Sequence, residues 1–229
     1  MNSEPTFNLE FELESGARFE ARWRPHATAR PRPVLLAHGA GAGHAHPLLA
    51  ALELALATQR FDVLSFHYAY MTRMLREGRR RPPDPMERLE AVHDRALEEL
   101  SKLRPGRRAL LIGKSMGGRV GSHIAAKGAS AAGLVLVGYP LHPAKVPQKQ
   151  RSEHFRALVQ PALFLSGTRD ALCELPLLRR ALASYGGPAT LVEIEGADHD
   201  FAQRSVSCDA AAAALARHIS AWVDTTWPE

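Results

Sequence analysis

From residue 34 onward the chain alternates short, nearly continuous apolar runs with stretches long enough for helices, and few architectures accommodate that order. The strand candidates are residues 34–37, 63–66, 109–112, 134–137, 162–165 and 191–194. Helices are expected near 47–58, 85–103, 116–127, 175–183 and 206–223. Strands that are apolar on both faces must be covered on both, and right-handed crossovers place helices on both faces. The expectation is an α/β chain with a mostly parallel, twisted sheet and helices on either side. In such sheets ligands sit beyond the carboxyl ends of the strands, so the loops after the strands are where chemistry is to be sought.

Upstream, residues 7–14 and 17–24 alternate apolar and charged side chains around Ser15-Gly16. That pattern predicts an antiparallel hairpin with one wet face, at the sheet edge. At 229 residues and 45% apolar content, one domain over 1–229 can bury its own core without disulfides or a structural metal. Cys173 and Cys208 have neither a disulfide framework nor zinc-type spacing, which suits a reducing cytoplasm. The acidic start lacks a signal-peptide pattern, and no window is apolar enough for a membrane span, so a cytoplasmic protein with no membrane partner is expected. The formal charge of +5 permits an anionic partner without requiring one.

Directly after the apolar run ALLI comes Gly113-Lys114-Ser115-Met116-Gly117, a G-x-S-x-G pattern followed at once by a helix. A strand that turns sharply into a helix strains the serine, and side chains two residues to either side would collide. Glycine at 113 and 117 removes those collisions. A serine hydroxyl is a poor nucleophile at pH 7 and needs a general base, which in turn needs an orienting acid. The sequence supplies both past later strand ends: Asp170 in SGTRD and His199 in GADHDF. Asp198 and Asp200 are rival acids, but neighbours of His199 in sequence are badly placed to accept from its Nδ1. Asp170 could instead be the N-cap of the 175–183 helix, and His199 a surface loop residue.

The loop His38-Gly39-Ala40-Gly41-Ala42-Gly43 follows the first parallel strand. Acyl transfer places negative charge on a tetrahedral oxygen, and each backbone N–H aimed at it is worth roughly 3 to 4 kcal/mol. The donors are assigned to Ala40 and to Met116, the residue after the nucleophile. A phosphate loop is disfavoured because GAGAG lacks the Gly-Lys-Ser/Thr ending, and no dinucleotide acid follows. His44 and His46 lack converging ligands, so no metal and no cofactor is expected. Arg119 is expected to have a structural partner, and Lys114 to point aside from the site.

Taken together, AHGAGAG, GKSMGGR, GYPLHP, SGTRD and GADHDF resemble the α/β-hydrolase superfamily over residues 33–223. The resemblance is nearest to its dienelactone-hydrolase-like branch, which includes a testis-expressed hydrolase-like protein and a regulatory subunit of the chromatin-associated NSL complex. It implies a Ser115, Asp170, His199 triad with Ala40 and Met116 as oxyanion donors. Dienelactone hydrolases use a cysteine nucleophile where this chain has Ser115, so their particular substrate does not carry over.

The residues therefore point to a serine hydrolase with almost no lid, since 139–160 is short, polar and proline-containing. Small esters, thioesters or lactones, anionic ones included, rank above long lipids as substrates. The arginines of 68–81, with Lys145, Lys149 and Arg151, could meet a substrate carboxylate or phosphate, although a solvated basic segment explains them too. No nucleic-acid module is recognisable, and the sequence is silent on oligomeric state. An acyltransferase would use the same residues, and a binding or scaffold protein without turnover is the alternative from another class.

Overall fold

The computed structural model describes residues 5–41 and 43–228, so Ala42 of the glycine-rich loop lies outside the described residues. Among these, eight strands form: β1 (Phe7–Glu12), β2 (Arg18–Arg24), β3 (Val34–Ala37), β4 (Val63–Phe66), β5 (Ala109–Lys114), β6 (Ala131–Val137), β7 (Ala162–Gly167) and β8 (Ala189–Ile194). The helices are α1 (Pro47–Thr58), α2 (Ala69–Glu77), α3 (Met86–Leu103), α4 (Met116–Ala126), α5 (Leu175–Leu182) and α6 (Cys208–Thr226), with a 3-10 turn at Glu153–Ala157. One sheet runs in the order β1-β2-β4-β3-β5-β6-β7-β8. Strands β3 to β8 are mutually parallel, and the β1–β2 hairpin is antiparallel and joins along β4. The expected edge hairpin and parallel sheet are both present.

Period-two alternation divides the strands between two apolar layers. Leu35, Ala37, Leu64, Phe66, Leu111 and Leu136 face Leu89, Val92, Leu100, Val120 and Ile124 of α3 and α4. Val34, Leu36, Val63, Ile112, Val135 and Leu163 face α1 and α6, where Leu52, Leu56, Leu215 and Ile219 close the second layer. Because both faces are sealed, catalytic or binding groups can gather only at the rim, past the strand ends.

Four strands run beyond the apolar cores that announced them, β8 by starting at Ala189 rather than 191. Lys114 pairs with Val137, and Ser166 and Gly167 pair with Glu193 and Ile194, so ladder hydrogen bonds continue where the side chains turn polar. The residues before Leu134 likewise extend β6 back to Ala131. The larger difference is α2, where the solvated basic segment of 68–81 is instead a helix whose first turn, Ala69 to Thr72, is buried. The last helix begins at Cys208 rather than 206, because Ser207 caps it by accepting from the Ala210 N–H at 3.2 Å. Cys173 is buried and Cys208 exposed, both as free thiols. No helix of the described residues is long and apolar enough to cross a membrane.

A buried carboxylate fastens the edge hairpin to the body of the sheet. Glu53 of α1, 1% exposed, accepts from Arg22 Nη2 at 2.6 Å, Arg24 Nε at 3.3 Å and Ser65 Oγ at 2.8 Å. Replacing Glu53 by Ala leaves two half-buried guanidinium groups facing each other without a counter-charge. Urea unfolding should show a loss of about 3 kcal/mol. A loss below about 0.5 kcal/mol, the usual surface value, would mean that apolar contact alone docks the hairpin.

Candidate active site

Strand β5 ends at Lys114 and α4 begins at Met116, so Ser115 alone makes the turn, at φ 52° and ψ −116°. That conformation is costly for a residue with a Cβ, and it persists because the flanks are forced close. A Cβ on Gly113 would stand 2.2 Å from the Gly118 nitrogen, and one on Gly117 would stand 2.6 Å from the Ala37 oxygen. Glycine at 113 thus lets β5 press against the first turn of α4, and glycine at 117 lets that turn touch the end of β3. The Ser115 N–H donates to Val137 O at 2.9 Å, which anchors the turn to the neighbouring strand.

Past the ends of β7 and β8, the other two expected residues converge on Ser115. His199 Nε2 lies 2.9 Å from Ser115 Oγ, and His199 Nδ1 lies 3.0 and 2.9 Å from the two Asp170 oxygens. A carboxylate only accepts, so Nδ1 carries the proton and Nε2 is left to accept from the serine hydroxyl. The Asp170 carboxylate is buried and also accepts from the Leu172 N–H at 2.8 Å, closing a tight turn. It is not the cap of α5, whose N-cap is Glu174. The rivals are engaged elsewhere: Asp198 Oδ1 accepts from the N–H groups of Asp200 and Ala202, and Asp200 pairs with Lys114. The Asp170 and His199 loops can touch because Gly167 has no side chain, since a Cβ there would meet Ala197 O at 2.3 Å.

The glycine-rich loop passes over the same point. A Cβ on Gly39 would come within 3.5 Å of Ser115 Cβ, and Ala40 lines the cavity above the serine. His38, fully buried at the base of this loop, meets Gly39 O through Nδ1 at 2.6 Å and accepts the Tyr68 N–H at Nε2, 3.0 Å away. Burial drives its pKa down to about 4, so it is the neutral imidazole that these two bonds require. Tyr70 donates to Ala40 O at 3.0 Å, a second prop from the start of α2. The Met116 N–H opens α4 and so has no partner within the helix.

The cavity holds about 310 Å³ and is floored by Ser115 and His199, with Leu49 and Leu172 as apolar walls and His46, Lys114 and Asp200 as polar ones. Lys114 therefore does not point aside: it follows the β5 ladder into the cavity wall. Its signal in the sequence was its place at a strand end one residue before the turn. Arg119 sits in α4 as expected, but its Nε is buried without a hydrogen-bond partner, so the structural partner assigned to it is absent at that atom. The basic segment is also corrected. Arg73 pairs with Asp84 at 2.7 Å, Arg76 with Glu10 and Glu20 at 2.6 and 2.9 Å, and Arg81 with Glu77; none of residues 68–81 lines the cavity. Nor does any residue of 139–160.

Beside the loop, His44 stacks on His67 with ring centroids 3.7 Å apart, and His38 meets the edge of His67 at 5.7 Å. Neither ring nitrogen of His67 has a hydrogen-bond partner, and the Glu20 carboxylate stands 3.8 Å from its Nδ1. Among the described residues no three His, Cys, Asp or Glu side chains are grouped to hold a metal.

A family model described as an alpha/beta hydrolase domain matches residues 30–226. Among solved structures, a dienelactone hydrolase from Anabaena variabilis superposes with a TM-score of 0.76, over 98% of this chain and 99% of that one, at 18% identity. The esterase domain of a Rhodothermus marinus protein gives 0.72 over 96% and 98% at 19% identity. An alpha-beta serine hydrolase homologue from Coxiella burnetii gives 0.72 over 96% of each chain at 13% identity. At identities this low the shared property is the fold.

The imidazoles behind the loop make a pH prediction. Burial lowers the pKa of His38 and His44 to about 4, of His93 to about 3, and of His67 further still. Each binds a proton more readily when unfolded, near pH 6.5, than when folded. Their stabilising contribution is therefore complete above pH 6.5 and declines as pH falls, down to about 4 for His38 and His44 and to lower pH for His93 and His67. Urea midpoints should decline across that window, and His67→Phe should decline less steeply. An equal slope in both proteins would show that His67 is not held neutral.

Proposed function

Because the chain belongs to the alpha/beta hydrolase domain family over residues 30–226, we propose that it is a serine hydrolase acting on small esters, thioesters or lactones. The observation that carries this is the unbroken path from Ser115 Oγ through His199 to Asp170, at the floor of a cavity open to small molecules. His199 Nε2 takes the hydroxyl proton as Ser115 Oγ bonds to the substrate carbonyl carbon. Asp170 holds the imidazole in the required tautomer and stabilises its charged form. The N–H groups of Ala40 and Met116 receive the negative charge that forms on the carbonyl oxygen, with the N-terminus of α4 adding its dipole. His199 then returns the proton to the leaving alcohol or thiol, the carbonyl re-forms and an acyl group remains on Ser115. Water, deprotonated by His199, attacks that acyl group and frees the acid and the serine.

A cavity near 310 Å³ is at the lower end of ligand-site sizes, about 300 to 1,000 Å³, and favours short acyl groups. Names of the similar proteins, a dienelactone hydrolase and an esterase domain, support the same reaction class. The likeness of the five motif segments to the branch holding the testis-expressed protein and the NSL-complex subunit is proposed on those segments alone. No observation favours the scaffold alternative, which has no need of an assembled serine, histidine and aspartate.

A fluorophosphonate probe should modify Ser115 at pH 8, and Ser115→Ala and His199→Ala should each abolish labelling while remaining folded. A folded wild-type protein that resists the probe would overturn the serine-hydrolase reading. Asp170→Asn should lower ester turnover by about 10⁴-fold with little change in melting temperature, because the wrong imidazole tautomer is then favoured. Unaltered turnover would remove Asp170 from this role.

A further inference from the structure

Among the described residues that line the cavity, Lys114 carries a buried amino group that neither the proposed chemistry nor the fold accounts for. Its side chain is 7% exposed, and Nζ meets a single carboxylate oxygen, Asp200 Oδ1, at 3.3 Å. That is long for a charge-assisted bond, whose ordinary range is about 2.7 to 2.9 Å, and an ammonium has three protons to donate. Burial pulls the Lys114 pKa down while Asp200, Asp170 and Asp198 push it back up, so its charge depends on nearby carboxylates. Asp170 and Asp198 are already committed within the site, to His199 and to the loop N–H groups. Asp200 differs from both: its side chain is 64% exposed and can turn into water without leaving a buried polar group behind.

We propose that Lys114 is a specificity-determining residue that binds a carboxylate carried by the substrate, with Asp200 as the displaceable counter-ion that holds the position when the cavity is empty. This rests on the serine-hydrolase reading and narrows its substrate class to short monoesters, monothioesters or lactones bearing a free carboxylate. Exchange of one carboxylate for another leaves the charge around Lys114 unchanged, so the buried ammonium is never left alone. The apolar walls of Leu49 and Leu172 suit the methylene spacer between the scissile carbonyl and the distal carboxylate. The anion selectivity expected from the arginines of 68–81 falls instead to a residue adjacent to Ser115.

The two halves of the ion pair give opposite signs, which a merely structural bridge would not. The readout is the ratio of kcat/KM for 4-nitrophenyl hemiglutarate to that for 4-nitrophenyl valerate, near-isosteric esters that differ in the terminal carboxylate. Lys114→Met should lower the ratio by about tenfold or more, the usual scale for losing a charged hydrogen-bond partner. Asp200→Asn should raise it by removing the competitor, and Lys114→Arg should retain more of it than Lys114→Met. An unchanged ratio in Lys114→Met, or a shift of both Lys114→Met and Asp200→Asn in the same direction, would overturn the proposal. If the wild type cleaves neither ester, the hydrolase reading fails, and calorimetry with monomethyl glutarate on the Ser115→Ala protein still decides the site. Binding that is lost on adding Lys114→Met supports it, and no binding overturns it.

Discussion

The passage of the backbone from β5 into α4 through one residue with positive φ is tolerated only because its flanks press directly on their neighbours. Gly113 lies against Gly118, and Gly117 against the end of β3, with no room for a methyl group at either place. Strand β5 is central, paired with β3 on one side and β6 on the other, and both of its faces are sealed by helices. The strain at Ser115 is thus held by the most constrained part of the sheet rather than by a loop. The loops after β3, β7 and β8 need only reach a point that the sheet has already fixed.

How much of this was legible depended on whether the signal was local. Apolar runs located the strand cores because burial on both faces leaves a continuous pattern, and the three residues Ser115, Asp170 and His199 each followed such a run by a short step. Local pattern could not show where strands stop, since Lys114 and Gly167 stay in the ladder through backbone bonds that their side chains do not announce. Nor could it show α2, where a buried aromatic first turn precedes an arginine-rich end and the composition is dominated by the latter. The arginines looked available because composition does not show pairing, least of all where the partner is remote, as Glu10 and Glu20 of the hairpin are from Arg76. Only tertiary structure states which acid meets which base.

Charge is distributed accordingly. In the basic segment Arg73, Arg76 and Arg81 pair with Asp84, with Glu10 and Glu20 of the hairpin and with Glu77, while Lys114 and Asp200 line the cavity and the buried Asp170 stands behind the imidazole. A formal excess of five positive charges therefore says little about the site, whose local balance is set by Lys114, Asp170 and Asp200.

The start of α2 has a consequence for how such a protein can change. Its Tyr68 N–H and Tyr70 hydroxyl reach His38 and Ala40, so this helix acts as the backing plate of the loop that faces Ser115. Displacements of α2 by a few tenths of an ångström would pass through these two hydrogen bonds, each 3.0 Å long, to the loop that the proposed mechanism assigns to transition-state charge, without touching the serine, the histidine or the aspartate. Under the proposed mechanism, rate is then open to tuning from a helix that carries no reacting group and that Arg76 ties to Glu10 and Glu20 of the hairpin.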